Sequence, residues 1–155
     1  SFCVVAFGNF RVFCKGEGYE IAVFETERLD FADIDGAIVI LKSGFVPQNI
    51  RLNNSAVVIA SAESSDQLAA LSSLGAAVIT CGKGRKNTVS FTSRSDDGAV
   101  VAINRSLVSL SGRIIEPLEI PVCFDGDYGL YDIMALTVLE LLLDDKKSKN
   151  AKLYG

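Results

Sequence analysis

Two segments of this 155-residue chain are apolar at every position and lack the alternation of a half-buried strand. They run from Ala37 to Leu41 (AIVIL) and from Ala56 to Ala60 (AVVIA). Such runs are typical of strands buried on both faces, as in a parallel sheet covered by helices. With a further strand predicted from Tyr19 to Glu25, the pattern predicts an α/β fold with a mostly parallel sheet core.

The segment after the second apolar run has the pattern of a short amphipathic helix. Ser64 and Gln67 fit a capping box, in which the Ser64 hydroxyl accepts from a first-turn amide and Gln67 reaches back to the cap. Gly75 is placed to end the helix in a left-handed conformation. The apolar positions between them form one stripe: Leu68, Leu71 and Leu74.

Another apolar strand, Ala76–Cys81, follows this helix, so residues 56–81 are predicted to form a βαβ unit with a right-handed crossover. At the N-terminus, Phe2–Phe7 and Arg11–Cys14 also have strand composition. Gly8 and Asn9 lie between them, and this pair predicts a hairpin turn.

The second half of the chain has a different pattern of polar and apolar residues. Residues 88–124 alternate polar and apolar positions between short turns, which predicts a small antiparallel β layer with one solvated face. Pro117 and Pro121 place Arg113–Phe124 at an edge of that layer or in an extended segment. Leu130–Leu143 is predicted to be a strongly apolar C-terminal helix.

Length and charge narrow the class of protein. The length fits one domain, predicted at residues 1–145 and followed by a lysine-rich tail at 146–155. The net charge of −4 at pH 7 disfavours nucleic acid as a partner. No apolar run reaches the ~18 residues of a membrane span, so no membrane association is expected.

The cysteines show no spacing typical of zinc or redox sites. Most of them lie in apolar runs, where free thiols behave as small hydrophobic groups. We therefore expect a cytoplasmic protein without disulfides. The residues concerned are Cys3, Cys14, Cys81 and Cys123.

Histidine is absent from the sequence. This excludes Ser-His-Asp and Cys-His catalysis, which require an imidazole to move the nucleophile's proton. It also excludes zinc sites of the HExxH type. With no complete catalytic constellation in the chain, we expect a non-catalytic protein that needs no cofactor.

The order of these elements resembles the later part of the central domain of Mur ligases and their folylpolyglutamate synthase relatives. Val78–Gly82 (VITCG) is similar to the strand end of that family, which carries a hydrophobic-Thr-x-Gly motif. Leu118–Leu143 is similar to its strand, loop and closing helix. Ala22–Glu25 looks like the buried strand that ends in a metal-binding glutamate, with Glu25 at the matching position. The resemblance covers residues 19–143.

Several motifs of the family are missing from this chain. No Gly-Lys-Thr/Ser phosphate loop is present, and no lysine matches the family's carbamylated one. Asp125, Gly126 and Asp127 stand where the family has Gly-x-His-Asn. The C-terminal Rossmann-like domain has no counterpart either. The resemblance therefore implies a shared fold without ligase catalysis.

A glycine-rich basic loop follows the buried strand that ends at Cys81. Open α/β sheets bind ligands at the carboxyl ends of their strands, so this loop is a candidate site for a phosphate or carboxylate. A solvated turn is the alternative, because a strand and not a helix follows the loop. The candidate residues are Gly82, Lys83, Gly84, Arg85 and Lys86.

The densest acidic patch precedes the C-terminal helix. Asp125 and Asp127, together with Glu25, are candidates for a metal or polar site, because carboxylates are hard oxygen ligands. The spacing after Asp127 does not continue a calcium loop. The alternative is that Asp127 or Asp132 caps the helix N-terminus, where the dipole favours negative charge.

Two functions remain open on these grounds. The first is a non-catalytic Mur-ligase-like domain that acts through binding or assembly. In that case the 130–143 helix would either be covered by the chain's own sheet or form the contact of a homodimer. The second is a nucleotide- or small-anion-binding domain of a larger ATP-dependent ligase-like protein.

Overall fold

The chain has the mixed α/β architecture that its sequence predicts, and it divides into two compact units, residues 1–80 and 81–155. The structure is a computed structural model. It describes residues 2–7, 21–26, 32–34, 37–47, 50–52, 56–109, 111–143 and 152–153. The predicted lysine-rich tail at 146–155 lies outside these residues, apart from the short strand at 152–153.

Seven strands and one helix are described in the first unit. They are β1 (Phe2–Phe7), β2 (Ile21–Thr26), β3 (Ala32–Ile34), β4 (Ala37–Leu41), β5 (Ile50–Leu52), β6 (Val57–Ser61), α1 (Ser65–Leu71) and β7 (Ala77–Cys81). Within this unit the main sheet has the order β2, β1, β4, β6, β7.

The predicted parallel core is confirmed in this sheet. Strand β1 pairs in parallel with β2 and β4, and β4 pairs in parallel with β6. The side chains of Val39, Ile40 and Ile59 are at most 1% exposed, although neighbours along a strand point to opposite faces. Both faces of these strands are thus covered, as their unbroken apolar runs predicted.

The predicted N-terminal hairpin is wrong. Both edges of β1 are occupied by parallel strands over Phe2–Phe7, so no edge is left for an antiparallel partner. Arg11–Cys14 and the Gly8–Asn9 turn lie outside the described residues. The sequence analysis also missed the small parallel pair of β3 and β5, whose three-residue strands are too short to show a period.

The predicted capping box at the start of α1 is confirmed for one of its two hydrogen bonds. Ser64 is the N-cap, and its hydroxyl accepts from the Gln67 amide at 3.3 Å. The Gln67 side chain does not return to the cap. Its Oε1 accepts from the Ser61 amide at 3.2 Å, and its Nε2 donates to the carbonyls of Lys42 at 2.6 Å and Phe45 at 2.7 Å. One fully buried amide therefore joins α1 to the loop after β4 and to the last residue of β6.

The end of α1 differs from the prediction. The helix stops at Leu71, and Gly75 has no positive φ, so the predicted left-handed termination is wrong. The hydroxyls of Ser72 and Ser73 donate to the carbonyls of Ala69 and Ala70 at 2.7 and 3.4 Å. Serine side chains can satisfy the last helical carbonyls in this way, which ends the helix before the glycine.

Unit 1 has a hydrophobic core between α1 and the sheet. Leu71 is the buried leucine of the predicted stripe, and Leu74 packs against the same cluster while remaining partly exposed. The buried members of this cluster are Val39, Leu41, Val58, Ala60 and Leu71.

The second unit contains the predicted antiparallel layer. Its described elements are β8 (Val89–Arg94), β9 (Gly98–Ile103), β10 (Leu107–Val108), β11 (Ile114–Ile115), β12 (Leu118–Phe124), α2 (Leu130–Leu142) and β13 (Lys152–Leu153). Strands β8, β9 and β12 are neighbours in that order and pair antiparallel, while β10 and β11 form a separate antiparallel pair.

The edge position predicted for the proline-rich segment is also found. Strand β12 pairs with β9 along Leu118–Cys123 on one side. On the other side, β13 pairs only with Cys123 and Phe124. Among the described strands, none pairs with Pro121 on this side, so its missing amide hydrogen leaves no ladder bond unmade there.

Helix α2 is buried on nearly all sides within the chain. Its bounds match the prediction to one residue, and Val138 and Leu139 are 0% exposed. Of the two arrangements that the sequence left open, the structure shows the first, in which the chain covers its own helix. Among the described residues, no helix is long and apolar enough to cross a bilayer.

Replacing Gln67 with methionine tests its role at the centre of unit 1. Gln67→Met keeps a side chain of similar size but leaves the Ser61 amide and two loop carbonyls without partners. We expect a loss of about 2 kcal/mol or more in the free energy of unfolding, because each unsatisfied buried group costs about 1–3 kcal/mol. Urea denaturation followed by circular dichroism measures the change.

Asp66→Asn is the matched control for this substitution. Asp66 is the exposed neighbour of Gln67 on α1, so its replacement removes only a favourable charge in the first turn. A loss for Gln67→Met no larger than that of the control would contradict the assigned role of the buried amide.

Candidate functional site

A pocket of about 380 Å³ opens on unit 2 beside the predicted basic loop. Four of its lining residues are polar or charged: Arg85, Thr92, Asn104 and Glu119. The other four are apolar: Ala102, Ile103, Pro117 and Leu118. The lining is thus half polar, which is more polar than the usual small-molecule site, where apolar side chains predominate.

The pairing of three strands explains why a depression forms here. Ala102 lies directly opposite Ser90 of β8 on one side and Glu119 of β12 on the other. Directly opposed residues point to the same face of a sheet. The methyl group of Ala102 is the shortest side chain of this row, so the face is lowest at the central strand. Ala102 therefore forms the floor of the pocket.

The loop that carries Arg85 is held by a second buried carboxamide. Asn87 is 5% exposed, and its Nδ2 donates to the carbonyls of Lys83 at 3.0 Å and Gly84 at 3.3 Å. Gly84 has a φ of +90°, which lies in the left-handed region. A residue with a side chain would be strained in this turn. The turn places Arg85 at the pocket.

The structure separates the five predicted loop residues. Lys83, Gly84, Arg85 and Lys86 are all exposed, and Arg85 is the one that lines the pocket. The Gly82 amide donates to the Val89 carbonyl at 3.0 Å, so it is already used within the fold. The Gly82 amide is therefore not available to bind a phosphate. The group of this loop that lies at the pocket is the Arg85 guanidinium.

Asn104 is the pocket residue with the best-defined orientation. Its Nδ2 donates to the Asn87 carbonyl and to the Ser90 hydroxyl, both at 3.0 Å. A carbonyl only accepts, so the amide nitrogen must face Asn87 and the oxygen must face away. Within the described part of the chain, Asn104 Oδ1 has no hydrogen-bond donor.

Arg85 and Glu119 bring opposite charges to one pocket without pairing. Neither side chain has a hydrogen bond or an ion pair with any residue that the structure describes. Their charged nitrogen and oxygen atoms are thus more than 4.0 Å apart. The sequence analysis identified Arg85 from its loop but missed Glu119, Asn104 and Thr92 as pocket residues, because strand register brings them together.

The acidic candidates are not gathered into a metal site by the described residues. Asp125 and Asp127 are exposed in the loop between β12 and α2. No group of three or more cysteine, aspartate or glutamate side chains that could hold a metal ion is found in the described part of the chain. Glu25 is the fifth residue of β2, and its side chain lies outside the described residues.

The alternative prediction for the acidic residues is partly met. The N-cap of α2 is Gly129, which provides no side-chain hydrogen bond, so neither aspartate is the capping residue. Asp132 lies in the first turn, where its charge interacts favourably with the helix dipole.

Tyr128 has an unusual hydroxyl at the start of α2. Its ring meets the edge of Phe124, with centroids 6.1 Å apart and planes at 82°, and its carbonyl accepts from Arg94 Nη2 at 2.9 Å. The hydroxyl oxygen is buried and has no hydrogen-bond partner. A buried donor without a partner costs free energy in the folded state.

Two other ionisable groups of unit 2 are shielded from water. Burial raises the pKa of the Cys81 thiol to about 12. Burial also raises the pKa of Tyr131 above its usual range, and the neighbouring Cys81 and Asp132 add to this shift. Cys81 and Cys123 are both free, as predicted, and Cys123 is exposed.

The β10–β11 pair carries apolar side chains on its outer face. Val108 and Ile114 are direct cross-strand partners and are 61% and 64% exposed. Their neighbours Leu107 and Ile115 point the other way and are buried. This ribbon therefore presents a small apolar surface to solvent.

Comparisons with protein-family models, curated proteins and solved structures find no match to this chain.

Removing the Tyr128 hydroxyl should stabilise the protein. Tyr128→Phe keeps the ring contact with Phe124 and deletes the unpartnered oxygen. We expect the free energy of unfolding to rise by about 1 kcal/mol, within the range for relieving one unsatisfied buried group. Urea denaturation measures the difference. A fall in stability would mean that the hydroxyl has a partner in solution, such as a buried water.

The two cysteines of unit 2 should differ in reactivity. At neutral pH Cys81 stays a thiol, because its raised pKa leaves almost no thiolate, and its sulfur is also inaccessible. We expect iodoacetamide to modify Cys123 in the folded protein and Cys81 only after unfolding. Mass spectrometry of proteolytic peptides locates each adduct. Equal native labelling of both residues would contradict this.

Proposed function

We propose that this chain acts by binding, without catalysing a reaction, and that it binds a small anion at the pocket beside Arg85. The observation that carries the proposal is a guanidinium that has no partner among the described residues and lies at a pocket with both apolar and polar lining residues. A guanidinium stays charged at any physiological pH and offers a planar set of donors that matches a carboxylate or phosphate.

The dimensions of the pocket support a ligand of modest size. Its volume of about 380 Å³ lies near the lower end of the usual range for small-molecule sites, about 300–1,000 Å³. Pro117 is an exposed apolar residue of the lining, and a short carbon chain could lie against it. A small organic anion fits this composition better than a large nucleotide.

The non-catalytic part of the proposal rests on the sequence. The chain contains no histidine and no phosphate-loop motif. The Mur-ligase-like relationship, and a place within a larger ATP-dependent ligase-like protein, remain predictions. Self-association through the 130–143 helix is not part of this proposal, since the chain already buries the apolar side chains of that helix.

Arg85→Gln tests the proposed anion site. Titrations with acetate and with inorganic phosphate, at constant ionic strength, are followed by nitrogen–proton NMR spectra of the labelled protein. We expect saturable shifts at residues around the pocket. The substitution should weaken binding about tenfold or more, since a hydrogen bond to a charged group contributes about 1.5–3 kcal/mol.

Lys86→Gln is the matched control for Arg85→Gln. Lys86 is a cation of the same exposed loop but does not line the pocket. Its removal lowers the general positive charge of the loop by the same amount. If both substitutions weaken binding equally, the loop attracts anions only through its net charge and the proposed site is wrong.

A further inference from the structure

Glu119 changes what kind of anion the pocket can accept. Its carboxylate lines the same pocket as the Arg85 guanidinium, and neither group has a partner among the described residues. A phosphate with two negative charges would lie close to this carboxylate. Glu119 and Arg85 are both exposed, so water weakens this repulsion, but a dianion is repelled more than a singly charged carboxylate and is therefore disfavoured.

Asn104 adds a second acceptor to the lining of the pocket. Its Nδ2 bonds to Asn87 and Ser90 fix the orientation of the amide, so Oδ1 is left to accept. The pocket therefore combines one strong cationic donor with two unengaged acceptors. A ligand that carries only a negative charge would leave both acceptors without a partner.

We propose that the ligand is a small zwitterion that carries a carboxylate and a protonated amine. The carboxylate pairs with Arg85, and the ammonium group donates to Glu119 and to Asn104 Oδ1. The carbon chain between them lies over Ala102 and against Pro117. This assignment rests on the proposed anion-binding function. It adds that the ligand's second charged group is an ammonium.

The separation of the two protein charges is part of the argument. If Arg85 and Glu119 were in contact, their charges would neutralise each other. The pocket would then attract neither the carboxylate nor the ammonium group of the ligand. Because their charged atoms are more than 4.0 Å apart, each can engage a different end of one molecule. A monocarboxylate of the same length would gain only the Arg85 contact.

A matched ligand series tests the proposal in NMR titrations of the full chain. Butyrate, butylamine and 4-aminobutyrate share a four-carbon chain and differ only in their charged ends. Glycine, β-alanine and 5-aminovalerate vary the distance between the two ends. We expect the best amino acid of the series to bind at least fivefold tighter than butyrate, and butylamine to bind weakest.

Two substitutions at Glu119 connect this preference to the proposed contact. Glu119→Gln should abolish the preference for the amino acid while leaving butyrate binding unchanged or stronger. Glu119→Lys should reverse it, so that succinate binds better than 4-aminobutyrate. Glu116→Gln, at an exposed carboxylate of the same segment that does not line the pocket, should preserve the preference.

The outcomes separate this inference from the proposed function. If butyrate binds in an Arg85-dependent way but as tightly as every amino acid, the zwitterion assignment is wrong and the anion site stands. The assignment is also wrong if Glu119→Gln leaves the preference intact. If neither butyrate nor any amino acid shows Arg85-dependent binding, both proposals are wrong.

Discussion

A strand that is buried on both faces creates a problem at its end, where the chain leaves the sheet and its backbone groups lose their ladder partners. Buried carbonyls and amides without partners are costly, so something must replace the missing hydrogen bonds. In unit 1 the Gln67 side chain does this for the loop after β4 and for the last residue of β6. In unit 2 the Asn87 side chain does it for the turn after Cys81.

Carboxamides suit this task because one side chain carries both a donor and an acceptor and has no charge to desolvate. Asn104 extends the second of these networks, since it donates to the Asn87 carbonyl while it lines the pocket. The hydrogen bonds that complete the loop thus also orient a group at the candidate site. Stability and recognition share the same residues there.

The fold was predictable from the sequence where a local pattern decides it. The runs at Ala37–Leu41 and Ala56–Ala60 predicted buried parallel strands, and the apolar segment from Leu130 predicted α2 almost to the residue. Gln67 shows where this reasoning stops. Its partners Lys42 and Phe45 lie 25 and 22 residues away, so a local capping motif was the nearest pattern that the sequence offered.

The candidate site was predictable only in part, for the same reason. The basic loop indicated Arg85, because glycines and cations after a strand form a recognisable local pattern. Glu119 reaches the pocket through its register with Ala102, and nothing in its own neighbours along the chain indicates that position. A pocket built across three strands depends on pairings that one sequence does not display.

The floor at Ala102 has a consequence for how a ligand would come and go. The strand beneath it is paired on both sides, so the floor is fixed before any ligand arrives. Only exposed side chains at the rim would need to become ordered, at a cost of about 0.5–1.5 kcal/mol for each. No part of the sheet has to open. The rates of ligand binding and release would therefore depend on how fast the contacts at the rim form and break. The paired strands thus make the floor of the pocket preorganised, and only its rim would adjust to a ligand.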